Sequence, residues 1–401
     1  MNSCRVCGSQ NVFDFLDLGS QPLANAVLTK VQYANERFYP LILQFCENCG
    51  LVQLKNLVPP KILFEEYAYF TDKASEEWKK HLSEFAHLLE KEFNIRDNHL
   101  VVDIGSNDGT LLKNFHCKVV GIDPAKNVAE QAKKDGIPTI IDYFTVQTAD
   151  KIANNLGSAK LVLATNTFAH LQDLYEVFSA LKVLLSDDGA FVVEIPHFLE
   201  LFKNLEFDTI YHEHSYYFLL KPLIQLGNMF KIPLFKVEKL STHGGSLRLY
   251  FEKKRPIENS VFEVLEEEQK AGMYQKETYI TFTNKVNLLK ETLVSILKEI
   301  KGNNQTICGY GHPAKATVLL NYCELKRFID YIKDDTPYKQ GKFSPGTHIP
   351  IVSSKEFHEH PTNYALMFAW NYKKEILETE KDFIKNGGKF IIPIPEVKVI
   401  P

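Results

Sequence analysis

The chain has no apolar run near the roughly 18 residues that a membrane-spanning helix requires. Its first residues, MNSCRVCGSQ, carry no apolar signal region, so a cytoplasmic protein is expected. It also lacks any polybasic run or acidic tail. The 46 basic and 50 acidic residues leave a formal charge of only -4, which argues against nucleic acid or a membrane as partner. An even cysteine complement is missing too: seven cysteines without a secretory signal disfavour a disulfide framework and leave thiolates available to a metal. What is present is length. At 401 residues the chain exceeds one ordinary core, so two or three domains and small-molecule chemistry are the default expectations.

Cysteine spacing gives the first positive signal. Cys4 and Cys7 form one C-x-x-C and Cys46 and Cys49 another, with Gly8 and Gly50 directly after the second cysteine of each pair. Two such knuckles turn four thiolates toward one centre, which suits Zn2+ in a closed, structural site. Two unrelated buried or redox pairs are the alternative, disfavoured by the shared trailing glycine. About 38 residues separate the pairs, more than the roughly 15 to 20 of compact ribbons, so the loop must carry strands of its own. VFDFLDLG and YPLILQFC alternate in the required way. Cys117, Cys308 and Cys323 sit in apolar runs and read as core thiols.

HLVVDIGSNDGTLLKNF reads as a buried strand over 100–104, a glycine-rich turn and a helix beginning near Thr110. In KVVGIDPAKNVAEQAKK, one strand-helix unit later, Asp123 stands at a strand tip, where a carboxylate accepts hydrogen bonds from ribose hydroxyls. The G-x-G-x-x-G of dinucleotide folds is absent. In its place stands D-x-G-x-x-x-G, with Asp103 at the strand end, Asp108 in the loop, and Gly105 and Gly109 letting the chain pass close to a ligand. Carboxylates here repel a pyrophosphate and suit a cationic ligand. The pattern resembles the first motif of class I S-adenosylmethionine methyltransferases. That resemblance implies a Rossmann-like α/β domain, with Asn107 in the same loop, Phe144 beside Asp142 framing the adenine, and Asn166 in the fourth-strand exit loop as further cofactor contacts. GAFVVEIP, FKVEKL and GGSLRLYFE would supply the fifth strand and a closing pair. A degenerate nucleotide fold without cofactor is the rival reading.

Residues 256–300 are helix-forming, with apolar residues at spacings of three and four. TICGYGHPAKATVLLNYC then restarts a strand, glycine turn and helix, where Lys315 at the helix start is placed for a phosphate or stands as a solvated lysine. The loop bearing Asp334, Lys339 and Lys342 is polar and glycine-punctuated, as ligand-binding loops commonly are. These pieces read as a second, shorter doubly wound sheet.

Taken together, CRVCGS with FCENCG, VVDIGSNDGTLL, NTFAHLQD, DTIYHEHSYYF, HGGSLRLY, GYGHPAKATVLLNYC and KQGKFSPGTHIPI are similar, in content and order, to the nucleotide-sugar C-methyltransferases of deoxysugar biosynthesis. Those enzymes methylate carbon 3 of a 4-keto sugar linked to a nucleoside diphosphate. The resemblance spans nearly the whole chain. It implies a zinc-binding domain over 1–66, a methyl-donor domain over 67–255, and a helical connector with a Rossmann-like nucleotide-sugar domain over 256–401. It places the catalytic base at His214, with Tyr211 and Glu213 orienting or polarising it. His170 and Tyr69 are candidates for stabilising an enolate oxygen or positioning the sugar, and sequence does not separate Tyr69 from Tyr67. His243 and Lys315, with Asp334, Lys339 and Lys342, are the further candidate substrate contacts.

Removing a proton beside a ketone favours a base of near-neutral pKa, which histidine provides. A zinc site from His212, Glu213 and His214 is the competing reading of YHEHSYYF. Adjacent side chains diverge too strongly for easy chelation, and the i, i+4 spacing of zinc helices is absent. His212 reads as structural. Methylation at another carbon such as C5, or a non-catalytic nucleotide-sugar-binding protein, are the alternative functions, and a monomer and a homodimer are equally open.

Overall fold

The computed structural model describes residues 3–64, 70–71 and 75–401, which build three sheets with helices between them. Tyr67 and Tyr69 lie outside the described residues, as does the side chain of His243. Among the described residues no helix is long and apolar enough to cross a membrane.

The N-terminal sheet grows from the long loop between the cysteine pairs. Strands Val12–Pro22 and Phe38–Cys46 fall on the two alternating stretches and pair antiparallel. Val52–Leu54 comes next. The fourth strand is Tyr216–Tyr217, supplied by YHEHSYYF, with Tyr217 opposite Val52.

The middle sheet runs in the order Leu234–Leu240, Ser246–Glu252, Leu185–Pro196, Ala159–Thr165, Leu100–Ile104, Lys118–Ile122, Thr139–Ile140. The last five strands are parallel and the first two are antiparallel additions. Leu100–Ile104 is buried at every position, as a central parallel strand covered on both faces must be. Strand order reverses between it and Ala159–Thr165, where doubly wound sheets open a crevice at their carboxyl ends. One local expectation fails here. No helix begins near Thr110; the chain turns instead through a short 3-10 segment, Leu112–Asn114. Asp108 Oδ1 accepts from Thr110 Oγ1 at 2.6 Å and from Thr110 N–H at 3.3 Å, and such capture competes with helical bonding.

Two helices, Asn259–Lys270 and Lys276–Gly302, lead to the third sheet. The longer buries Tyr279, Phe282, Val286, Leu289, Leu293, Leu297 and Ile300, one stripe at three and four spacing. Tyr279 packs on Phe45 at 4.1 Å and Phe15 at 4.9 Å, so the N-terminal sheet and the C-terminal half share an apolar core. The third sheet is ordered Ile351–Val352, Ile332–Lys333, Ile307–Tyr310, Tyr364–Met367, Lys389–Ile392, Lys398–Ile400, with only the last strand antiparallel. Cys308 and Cys323 are buried thiols. Cys117 is only half-buried, because it precedes the strand Lys118–Ile122 instead of lying within it.

Candidate active site

Cys4 Sγ lies 3.4 Å from Cys49 Sγ and Cys7 Sγ 3.6 Å from Cys46 Sγ, with all four sulfurs within 4.8 Å of one another. Tetrahedral Zn–S bonds of about 2.3 Å set sulfurs roughly 3.8 Å apart, so the quartet fits one zinc ion. Each knuckle closes through the same bond: Gly8 N–H donates to Cys4 O at 3.0 Å and Gly50 N–H to Cys46 O at 2.8 Å. Both glycines have positive φ, 70° and 82°, which explains the repeated trailing glycine. Four thiolates leave no open position, so the site is structural.

YHEHSYYF is sutured to three elements. Ser215 O accepts from Leu54 N–H at 3.0 Å, Ser215 N–H donates to Ala169 O at 2.8 Å, and Phe218 O accepts from Phe198 N–H at 3.1 Å. These bonds hold it along a cavity of about 820 Å³ that runs from the glycine turn of the middle sheet to the C-terminal sheet.

Asp103, Gly105, Asn107, Asp123, Phe144 and Asn166 line one end, with Asp142. Asp123 accepts Asn107 N–H on Oδ2 at 2.9 Å and Ala125 N–H on Oδ1 at 2.8 Å, and burial still pushes its pKa up to about 6. Burial, then the neighbouring Asp123, hold the Asp103 carboxyl well above the usual carboxylate range. Asp103 Oδ1 and Thr165 Oγ1 have no hydrogen-bond partner among the described residues. Unmatched buried oxygens beside a second acid fit a ligand bringing positive charge and hydroxyl donors, as the sulfonium, ammonium and ribose of S-adenosylmethionine do. Asp108 and Gly109 do not line the cavity. Asp108 holds Thr110, and a Cβ on Gly109 would meet Ile137 at 2.9 Å, so both shape the turn.

Further along, aromatic rings stack. His170 lies over His214 with ring centroids 5.2 Å apart, Tyr211 packs against His214 at 4.2 Å, and Phe64 stacks on His170 at 5.4 Å. Thr209 O lies 3.1 Å from His214 Nδ1. A carbonyl can only accept, so in the neutral ring this nitrogen carries the proton and Nε2 the lone pair. Burial, then the proximity of His214, push the His170 pKa down to about 3, which keeps that ring neutral. Tyr211 is held as a phenol, its pKa raised by burial and then by Glu213. Glu213 does not line the cavity: its carboxyl accepts from Asn25 Nδ2 at 2.7 Å, and burial pushes its pKa up to about 7 while Asn25 draws it down. His212 Nε2 lies 3.2 Å from Tyr39 O, also away from the cavity.

At the far end stand Lys315, Trp370, Asn371, Glu206 and Gly244. Lys315 Nζ lies 4.0 Å from the Trp370 ring centroid, and Trp370 Nε1 donates to Asp208 Oδ2 at 2.8 Å. Burial lowers the Lys315 pKa against the pull of Asp208 and Glu206, and raises those acids to about 6 and about 7. The structure does not bring Asp334, Lys339 or Lys342 here. Asp334 accepts from His312 N–H at 2.7 Å, Lys339 donates to His312 O at 2.8 Å, and Lys342 sits over Tyr338, so their polar groups tie the loop together. Sequence reasoning missed Asn25, Glu206, Asp208 and Trp370. Trp370 alone carried a signal, as one of two tryptophans at the exit of a strand.

Family models match along the chain: a zinc binding domain at residues 4–64, a methyltransferase domain at 70–228 and a C-methyltransferase C-terminal domain at 241–395. The C-methyltransferase NovU of Streptomyces niveus is 36% identical over 408 residues, covering 100% of this chain and 97% of that protein. The chain belongs to the C-methyltransferase family. Two solved structures show weaker likeness. A Pyrococcus horikoshii OT3 protein is 17% identical over 47% of this chain and 96% of its own, with a TM-score of 0.36. Magnesium protoporphyrin IX methyltransferase of Synechocystis PCC 6803 is 13% identical over 45% and 89%, at 0.34. Likeness at these scores carries no weight for the site. This C-methyltransferase takes its methyl group from S-adenosylmethionine and holds zinc at Cys4, Cys7, Cys46 and Cys49.

Proposed function

We propose that this C-methyltransferase methylates carbon 3 of a 4-keto deoxysugar carried on a nucleoside diphosphate, through an enolate generated by His214. One observation carries the reading: the His214 ring shares a single cavity with an acid-rich end suited to a cationic methyl donor and with a second end bearing Lys315 and Trp370.

S-adenosylmethionine supplies an electrophilic methyl group on its sulfonium. His214 Nε2 takes the proton from carbon 3, and the C–H electrons move toward the ketone oxygen. As they return, carbon 3 bonds to the methyl while the methyl–sulfur bond breaks, the ketone is restored, and the proton on His214 passes to solvent. Tyr211 packs against the imidazole with the two ring planes tilted by 35°. His170, kept neutral, donates an N–H to the enolate oxygen without adding a charge that would repel the sulfonium. Lys315 faces the diphosphate and Trp370 the base. Tyr69, Tyr67 and His243 retain their proposed part in positioning the sugar. The same proposal divides the chain at 66/67 and 255/256 and puts it in the cytoplasm. Three separate sheets support the division, with Tyr216–Tyr217 as the strand that crosses it.

Labelled methyl from S-adenosylmethionine is expected on a sugar carbon when thymidine, guanosine and cytidine diphosphate 4-keto sugars are screened by mass spectrometry. His214→Ala is expected to lower turnover roughly 10³-fold while retaining affinity for S-adenosylhomocysteine. Near-parental turnover would remove His214 as the base.

A further inference from the structure

The two tyrosines that close YHEHSYYF are treated differently. Tyr216 OH donates to Gln172 O at 2.6 Å, an internal bond that leaves it no proton to offer a ligand. Tyr217 is only 6% exposed, lines the cavity, and its hydroxyl has no hydrogen-bond partner among the described residues. The Tyr211 amide lies near its oxygen, but an N–H cannot accept the hydroxyl proton, so the O–H has no acceptor among the described residues. Buried hydroxyls are rarely left so.

Its surroundings fix where that donor can act. The ring stands edge-on to His214, centroids 6.1 Å apart and planes at 82°, with Phe198 packed at 6.0 Å. Its backbone is paired with Val52 of the N-terminal sheet, so the side chain projects from a strand and not from a free loop. Burial raises its pKa far above the ordinary phenol value, so the group stays protonated and keeps an O–H to donate. A preorganised O–H beside the base, with no acceptor among the described residues, is what a developing oxyanion requires.

We infer that Tyr217 is a further catalytic residue, whose hydroxyl donates a hydrogen bond to the substrate ketone oxygen as it becomes the enolate oxygen. The inference rests on the keto-sugar reading above. The carbon-bound proton still goes to His214, and Tyr217 keeps its own.

The test separates enolate formation from methyl transfer. Solvent deuterium exchange at the carbon beside the ketone is followed by NMR with S-adenosylhomocysteine bound, alongside kcat and KM for the full reaction. Tyr217→Phe is expected to lower exchange and kcat together by roughly 10²-fold, with KM and S-adenosylhomocysteine affinity within threefold of the parent. Exchange within threefold of the parent overturns the inference while the keto-sugar reading stands. A parent protein that neither exchanges nor methylates any keto sugar overturns both. A variant carrying 3-fluorotyrosine at 217 preserves the packing should Tyr217→Phe fold poorly. Its more acidic phenol is expected to change the exchange rate at least twofold, and an unchanged rate overturns the assignment.

Discussion

At the proposed methyl-donor end of the cavity, Asp103, Gly105, Asn107 and Asp123 come from 21 consecutive residues and two neighbouring strands, whereas the proposed reacting end gathers Phe64, His170, Tyr211, His214, Lys315 and Trp370 from across the chain. The first end is a local device: one turn, one strand tip, and a sheet edge that any doubly wound fold provides. The second exists only after three sheets have docked. Cofactor binding should therefore survive insults that abolish chemistry.

Zinc removal should separate the ends most sharply. Val52–Leu54 follows directly on Cys49 and holds Tyr216–Tyr217 in register, so a Cys46→Ser variant should lose catalysis entirely. A fall in melting temperature of at least about 10 °C is expected by calorimetry. Affinity for S-adenosylhomocysteine should change far less, and a parallel collapse of both would break the comparison. Asp123→Ala acts in reverse. Loss of this proposed ribose acceptor should weaken S-adenosylhomocysteine roughly 10- to 100-fold by isothermal titration, with KM for the sugar nearly unchanged.

The smallest expected effect concerns Glu213. Its folded-state pKa of about 7 exceeds the ordinary value of 4.5, so the native protein binds a proton that the unfolded chain releases between those limits. The associated stability is fully present below about pH 4.5 and is lost as pH rises through about 7. Glu213→Gln can still accept the Asn25 bond. Urea denaturation should therefore show a flatter pH dependence from 5 to 8, and a gain of roughly 2 kcal/mol over the parent at pH 8. An unchanged slope would mean Glu213 ionises freely beside Tyr211.

What could be read from residues alone follows the same division. The cysteine knuckles and the glycine turn were legible because their placement is set by spacings of three to six residues, and Asp123 because it stands at the tip of the next strand. The shared trailing glycines were legible too, though their left-handed φ was not. The helix near Thr110 was misread because the Asp108 carboxylate captures both the backbone N–H and the hydroxyl of Thr110, a rotamer choice that periodicity does not encode. Asp334, Lys339 and Lys342 looked like ligand contacts because the loop is polar, yet Asp334 and Lys339 bond the His312 backbone and Lys342 sits over Tyr338. Asn25 reaches Glu213 across 188 residues, a contact no local pattern anticipates.

The strand Tyr216–Tyr217 joins a partner, Val52, that lies 165 residues earlier in the chain. Closing so long a loop carries an entropic cost that short-range pairing avoids, and contacts of this separation form late and slowly. The middle sheet can therefore acquire its parallel strands, and its grip on the methyl donor, before the segment bearing His214 is seated. Maturation of this enzyme should show two clocks in refolding: an early recovery of cofactor affinity, and a later recovery of turnover that keeps pace with the N-terminal sheet.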